Sequence, residues 1–179
     1  FIQWGFSQVF PAKTMCAHVT TWNKNSSVKF RTDVAMMCKL GFDIKLADVS
    51  KDDETYCRTA VQNYNRLKPV VLEGDMYRLV SPYGSNHTST MYVGKDKDKA
   101  AVFAFDIHPR YAEKILPVRL QGLDADKMYR VKEINLMPGA NSSLSGNGEV
   151  FSGEFLMNVG LNLFTAQQLN SRVIEVVAE

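Results

Sequence analysis

The spacing of apolar residues changes at Pro69, and this change limits the possible folds more than any other feature of the sequence. Before Pro69, apolar side chains recur at helical intervals, and short apolar segments separate the helices. After Pro69 the helical period disappears, and short segments of alternating polarity are separated by turn residues. The pattern therefore predicts an α/β region over residues 1–69 and an antiparallel β domain over residues 70–179.

The first region is predicted to run in the order strand, helix, strand, helix. These elements are expected at residues 8–10, 29–40, 42–46 and 51–68. Gly41 follows the first helix at a position where helix C-termini favour glycine. Ser50 with Asp53 three residues later indicates the start of the second helix. Pro69 disfavours helical geometry at the residue before it, so we expect that helix to end at Lys68.

The second region contains about seven or eight short strands. The clearest of them are predicted at residues 76–81, 88–94, 100–108, 129–134, 150–163 and 172–177. A charged turn over residues 95–99 joins two of them into a hairpin, and residues 116–121 alternate in polarity like a further strand. An antiparallel sandwich is the packing that such a series favours.

Charge and composition exclude several classes of protein. The net charge is +2 over 179 residues, with Lys and Arg spread along the chain, so we expect no nucleic-acid partner. The apolar runs are far shorter than a membrane span needs, and we expect no membrane partner. Cys16, Cys38 and Cys57 lack metal-type spacing and are interpreted as reduced packing residues. A cytoplasmic location is favoured, with the periplasm as the alternative.

Four strings resemble one known family. They are MCAHVT at 15–20, YRLVSP at 77–82, LQGLD at 120–124 followed by YR at 129–130, and SGEFLMNVGL at 152–161. In this order and spacing they resemble the C-terminal part of glycoside hydrolase family 36, the α-galactosidases. The resemblance implies the last two βα units of a (β/α)₈ barrel, followed by the family's antiparallel β-sandwich. Residues 8–10 and 42–46 would then be the seventh and eighth barrel strands.

The resemblance also implies a reaction that this chain does not perform alone. Retaining glycosidases use two carboxylates about 5 Å apart, and in this family both are Asp residues that would precede Phe1. The sequence begins at Phe1 without an initiator Met or a signal-peptide pattern, so we expect the chain to begin inside a longer protein. Lys51-Asp52-Asp53 matches the family's Lys-x-Asp string, but it opens a polar helix and follows no buried strand, so we interpret its acidic residues as capping groups. The substrate would be an α-galactoside in the intact enzyme, with an N-acetylgalactosaminide as the alternative.

The loop over residues 11–28 is the candidate remnant of a substrate site. Loops after barrel strands carry the chemistry of such folds. His18 could hydrogen-bond a sugar hydroxyl, and Trp22 could stack on the apolar face of a sugar. The alternative interpretation makes both of them packing or loop-orienting residues. We expect no cofactor or metal, because His87 and His108 have no ligand-type spacing and are expected at the surface.

The chain's partners and other possible roles follow from the same pattern. Two of eight barrel strands leave unpaired edges, so we expect residues before Pro69 to pack on the sandwich or on a second copy, as a homo-oligomer. The expected partner in an intact enzyme is the remainder of the barrel. An alternative function is a carbohydrate-binding sandwich presenting Tyr83, Tyr92 and Tyr111. A further alternative is a standalone scaffold.

Overall fold

A computed structural model describes residues 1–22 and 25–179. It has two sheets: a parallel pair of strands near the start of the chain, and a six-stranded antiparallel sheet formed by the rest. The elements of the first part are α1 (Ile2–Phe6), β1 (Cys16–Thr20), α2 (Val28–Ala35), β2 (Lys39–Asp43) and α3 (Lys51–Glu73). Strands β1 and β2 pair in parallel, with His18 opposite Gly41. The predicted order of strand, helix, strand and helix is therefore confirmed.

The first predicted strand was wrong in position. Residues 8–10 form turns after α1, and the Phe10 N–H bonds the Phe6 carbonyl at 2.8 Å. The strand is instead β1, within the predicted loop, where Val19 is buried while Cys16 and His18 are exposed. The helix predicted over residues 29–40 is α2, which ends at Ala35, and the strand predicted over residues 42–46 is β2. Both end earlier than expected, because β2 already begins at Lys39.

Pro69 does not end α3, the second of the two predicted helices, which continues to Glu73. Proline in a helix costs about 3 kcal/mol because it removes one backbone donor and crowds the preceding turn. Leu67, Val70 and Val71 are all buried on the same side of α3, and burying one such side chain contributes about 1.5–3 kcal/mol. Burial of the two valines therefore outweighs the proline, which lies on the exposed face. The predicted helix start is correct, since the Ser50 hydroxyl accepts the Asp53 N–H at 3.1 Å.

The antiparallel sheet has the strand order β3-β4-β5-β8-β6-β7. Its strands are β3 (Asp75–Val80), β4 (His87–Val93), β5 (Lys99–Asp106), β6 (Met128–Ile134), β7 (Val150–Ser152) and β8 (Asn170–Ala178). The predicted hairpin is β4–β5, in which His87 pairs with Asp106. The central strand β5 is buried on both faces, which explains its continuous apolar run.

The long strand predicted over residues 150–163 is only partly present. After β7 the chain enters a short helix, α4 (Gly153–Asn158), whose first turn is capped by the Ser152 hydroxyl accepting the Phe155 N–H at 3.1 Å. Further along, Leu161 exchanges two backbone hydrogen bonds with Val118. The cap and the burial of Leu156 on α4 therefore override the strand-like composition.

Two apolar cores lie on the two faces of the antiparallel sheet. Helices α2 and α3 cover one face, which includes Phe103 and Val173. Segments around Val118, Leu144 and Leu163 cover the other face. The fold class is confirmed: a barrel-like α/β piece with a small parallel sheet precedes an antiparallel β-sandwich domain. Within residues 1–22 and 25–179, no helix has the length and apolarity of a bilayer span.

Candidate functional site

The parallel strand pair presents one uncovered face, which we term the open strand face. Side chains alternate along a strand, so Ala17, which packs against the helical core, and the buried Val19 share one face, while their neighbours point to the other. The open strand face comprises Cys16, His18, Thr20, Lys39, Gly41 and Asp43. Since these residues lie on a regular ladder rather than on a loose loop, their spacing is set by backbone pairing.

His18 lies across the backbone of β2 at Gly41. A Cβ atom built on Gly41 would lie 2.1 Å from Cδ2 and 2.6 Å from Nε2 of the His18 ring. Real side chains do not approach so closely, so the missing side chain at Gly41 makes room for the imidazole. Nε2 of His18 also lies 3.4 Å from the Cys16 sulfur. The His18 ring thus lies against Gly41 and beside the Cys16 thiol, and the residue remains exposed.

A cleft of about 780 Å³ adjoins this face, and its volume is within the range of small-molecule sites. Its lining includes Cys16 and His18 together with the apolar side chains of Phe6, Phe10 and Phe30. Apolar walls with a few hydrogen-bonding groups suit a sugar, which has both apolar faces and hydroxyl edges.

Trp22 lies two residues beyond the end of β1, and its side chain is 83% exposed. It follows the strand end at which barrel folds place their substrate loops. His18 lies in the middle of β1 and Trp22 lies beyond its C-terminal end, and the following residues, 23 and 24, lie outside the described part of the chain. Their role as substrate residues stays a prediction.

The open strand face has too few carboxylates for glycoside hydrolysis. A retaining mechanism needs two of them across the scissile bond, and strands β1 and β2 place only Asp43 on this face. Asp52 and Asp53 lie in the first turn of α3, where a negative charge favours the helix dipole. This position agrees with our interpretation of Lys51-Asp52-Asp53 as a helix cap.

The cysteines differ in exposure. Burial raises the pKa of the Cys38 thiol to about 11, against a smaller lowering by a hydrogen bond from Gln3. Burial also raises the pKa of Cys57. Both are packing residues, as expected, whereas Cys16 is exposed. Across the described ranges, no group of three or more His, Cys, Asp or Glu side chains is arranged to hold a metal ion.

His87 was wrongly expected at the surface. The residue is only 4% exposed, and Nδ1 lies 2.7 Å from Oδ1 of Asp106, which is also buried. The two residues are direct partners in the β4–β5 hairpin, so counting the hairpin register from its turn could have found the pair. His108 is exposed, as expected.

The three tyrosines considered for sugar stacking do not share one environment. Tyr92 is buried, and its hydroxyl donates to the Met37 carbonyl at 2.7 Å. Tyr83 and Tyr111 are exposed. Tyr92 is therefore a packing residue, and a platform formed by all three rings is excluded.

Comparison with known proteins matches both parts of the chain. The model of the glycosyl hydrolase family 36 C-terminal domain matches residues 87–176, and the Melibiase model matches residues 1–74. A probable α-galactosidase G of Aspergillus terreus is 32% identical over 97% of this chain and 23% of its own length. α-Galactosidase 2 of Hypocrea jecorina is 32% identical over 97% of this chain and 22% of its own length.

Solved structures give the same match. The family 36 α-galactosidase AgaB from Geobacillus stearothermophilus superposes with a TM-score of 0.84 at 26% identity. That match covers 99% of this chain and 24% of the AgaB chain. The chain thus spans about a quarter of the length of the proteins it resembles.

Proposed function

Because the chain belongs to glycoside hydrolase family 36, we propose that it is the C-terminal part of an α-galactosidase, which removes terminal α-galactosyl residues with retention. The named relatives and their coverage of nearly the whole chain support this activity. In this proposal the two catalytic carboxylates belong to the remaining part of the enzyme, because the open strand face offers a single one, Asp43.

The chain's own contribution in this proposal is structural: the antiparallel domain holds the last two βα units in place. The observation that carries it is the buried carboxylate of Asp33 on α2. It accepts hydrogen bonds from the Tyr56 hydroxyl at 2.8 Å, the Asn135 amide at 3.1 Å and the Ser171 hydroxyl at 2.7 Å. Lys29 supplies the balancing charge. One fully buried side chain thereby joins α2 and α3 to the end of β6 and to β8.

Further polar contacts continue this junction toward the open strand face. The Asn63 amide on α3 donates to the Asn135 side chain at 2.6 Å, and Arg66 on the same helix pairs with Glu175 of β8. The Tyr64 hydroxyl donates to the Cys38 carbonyl at 2.9 Å and accepts the Leu40 N–H at 3.2 Å. These contacts fix α3 on the antiparallel sheet and fix the start of β2 on α3.

The partner of the outer edges of β1 and β2, in this proposal, is the rest of the barrel. Among the residues that the structure describes, strands β1 and β2 each pair on one side only, and unpaired edges favour the addition of further strands. The expected packing of the first region on the sandwich is met by α2 and α3. Association with a second copy stays a prediction.

An assay on an aryl α-galactoside tests the proposed activity. We expect turnover by a full-length enzyme that contains this chain and none by residues 1–179 alone, after circular dichroism has established that the shorter protein is folded. Turnover by residues 1–179 at a rate comparable to the full-length enzyme would contradict the proposal.

The substrate role of the rim can be tested in the same full-length enzyme. Removing an exposed aromatic ring that contacts only bound sugar should raise KM, by about threefold or more, with little change in kcat. We expect this result for Trp22→Ala. The matched control is Tyr111→Ala, also a fully exposed ring but on the antiparallel domain. Equal KM values for both variants and the parent would remove Trp22 from the substrate rim.

A further inference from the structure

His87 on β4 lies between two carboxylates that belong to different segments. On one side, Nδ1 is 2.7 Å from Oδ1 of Asp106 on β5. The other oxygen of Asp106 accepts the Thr165 N–H at 3.0 Å and the Thr165 hydroxyl at 2.7 Å. Asp106 therefore acts only as an acceptor here. Consequently Nδ1 of His87 carries the hydrogen of the shared bond.

The second ring nitrogen of His87 has no hydrogen-bond partner although it is buried. It faces Oε2 of Glu113 at 3.7 Å. In the neutral ring this nitrogen presents a lone pair to a carboxylate, and two acceptors cannot bond each other. In the protonated ring the same nitrogen becomes a donor aimed at Glu113. Phe164 stacks on the ring with centroids 4.6 Å apart and restricts its reorientation.

Glu113 belongs to the segment of residues 107–117, which connects β5 to Val118. Its carboxylate accepts the Arg110 N–H at 2.9 Å and the Asn86 amide at 3.1 Å. These two bonds, with a smaller contribution from His87, lower the pKa of Glu113, so it stays charged. The Glu113 carboxylate thus hydrogen-bonds both the turn of its own segment and the loop before β4.

We propose that His87 is a proton-controlled latch that fastens residues 107–117 onto the β4–β5 hairpin. The latch lies beside a polar cleft of about 440 Å³, whose lining includes Tyr83, Asn86, Arg110 and Glu113. When residues 107–117 are held against the hairpin, Arg110 and Glu113 keep their places in the lining of that cleft. The inference is independent of the proposed α-galactosidase activity, because it concerns only contacts within the antiparallel domain.

The direction of the pH dependence follows from the groups that face the ring. The charged groups are Asp106 from β5 and Glu113 from the connecting segment, and Arg110 contacts Glu113 through its backbone N–H. The segment around Phe164 and the loop before β4 contribute uncharged groups. Two acidic neighbours receive two N–H donors only when the ring is protonated. The segment is therefore held more tightly at acidic pH, where the ring is protonated, and less tightly once the ring is neutral.

Amide hydrogen exchange of residues 107–117, measured on the whole chain, tests the latch. Rates at about pH 5.5 and pH 8 are compared after correction for the intrinsic pH dependence of exchange. We expect about threefold or greater protection of this segment at the lower pH, with β8 amides unchanged. The difference should vanish in Glu113→Gln, and also in His87→Asn, whose amide can still donate to Asp106. Glu149→Gln, a change at an exposed site, should behave like the parent.

Two outcomes overturn the latch. One is equal protection of residues 107–117 at both pH values in the parent chain. The other is an undiminished pH effect in Glu113→Gln. Long-range ¹H–¹⁵N spectra of the His87 ring supply a second readout that does not depend on loop motion: the Nδ1–H tautomer is expected at high pH, and the Nε2–H tautomer would contradict the proposal.

Discussion

The strand pairs β1–β2 and β5–β8 are both regular ladders, yet they differ in what covers them. Helices α2 and α3 cover one face of β5–β8, and apolar segments around Val118 and Leu163 cover the other. The parallel pair β1–β2 is covered on one face only, and the other presents His18 to the outside. Stability is therefore concentrated in the antiparallel sheet, while the parallel pair keeps a surface available for contacts.

The largest expected effect is in the covered pair. Phe103 on β5 is fully buried and packs edge to face with Tyr92. Its truncation to alanine should lower the free energy of unfolding by about 3–5 kcal/mol, since both transfer and cavity costs apply. Urea unfolding measures this loss. Val9→Ala, at an exposed site of the first region, should change the same quantity by less than about 0.5 kcal/mol. Similar losses for both variants would contradict the contrast between the two regions.

The junction between the regions should come next. Asp33→Ala leaves the donors of Tyr56, Asn135 and Ser171 without their acceptor, together with an unpaired Lys29. Removing one partner of such a buried charge costs about 3 kcal/mol or more. Asp48→Ala, at an exposed carboxylate, is the matched control. If the two variants unfold at the same urea concentration, Asp33 does not join the regions.

Local patterns predicted much of the fold but not the features that depend on distant burial. The cap at Ser50 and the β4–β5 hairpin are encoded in neighbouring residues, and both were found. The passage of α3 through Pro69 was missed, because it depends on Val70 and Val71 meeting a sheet formed much later in the chain. The helix α4 was missed because the capping by Ser152 competes with a strand-like composition.

The candidate site shows the same division. His18 was identified by its residue type and by the strings that resemble a family, but its strand was placed eight residues too early. The role of Gly41 in making room for the ring could not be predicted, because it depends on the pairing of β1 with β2. The His87–Asp106 pair is different, because the register of the predicted β4–β5 hairpin, counted from its turn, places these two residues opposite each other.

A smaller effect is expected on the open strand face. Gly41→Ala places a methyl group against the exposed His18 ring, which must turn aside at a cost of about 0.5–1.5 kcal/mol. The second change His18→Ala should recover most of this loss, because the clash is with that ring alone. Gly84→Ala, where a Cβ meets nothing within 4 Å, is the control. Additive losses in the double variant would show that Gly41 serves something other than room for His18.

The smallest effect concerns reactivity rather than stability. Cys38, with a pKa of about 11, is almost entirely protonated at about pH 8, and only the thiolate reacts with a disulfide reagent. Cys16 is exposed, so we expect it to be labelled at least about tenfold faster than Cys38. Cys38→Ser should remove a slow phase and leave the fast one. Labelling of Cys38 as fast as that of Cys16 would mean that the covered region opens readily.

The central claim is that the helical first region and the antiparallel sheet form one cooperative unit. Both tryptophans, Trp4 and Trp22, lie in the first region. In Trp22→Phe, fluorescence of the buried Trp4 reports on that region alone, while backbone amide signals of β5 and β8 report on the sheet. Both are followed through one urea titration of residues 1–179. We expect coincident transitions. Loss of the Trp4 signal at a lower urea concentration than the sheet amides would show that the two regions unfold separately and would contradict the claim.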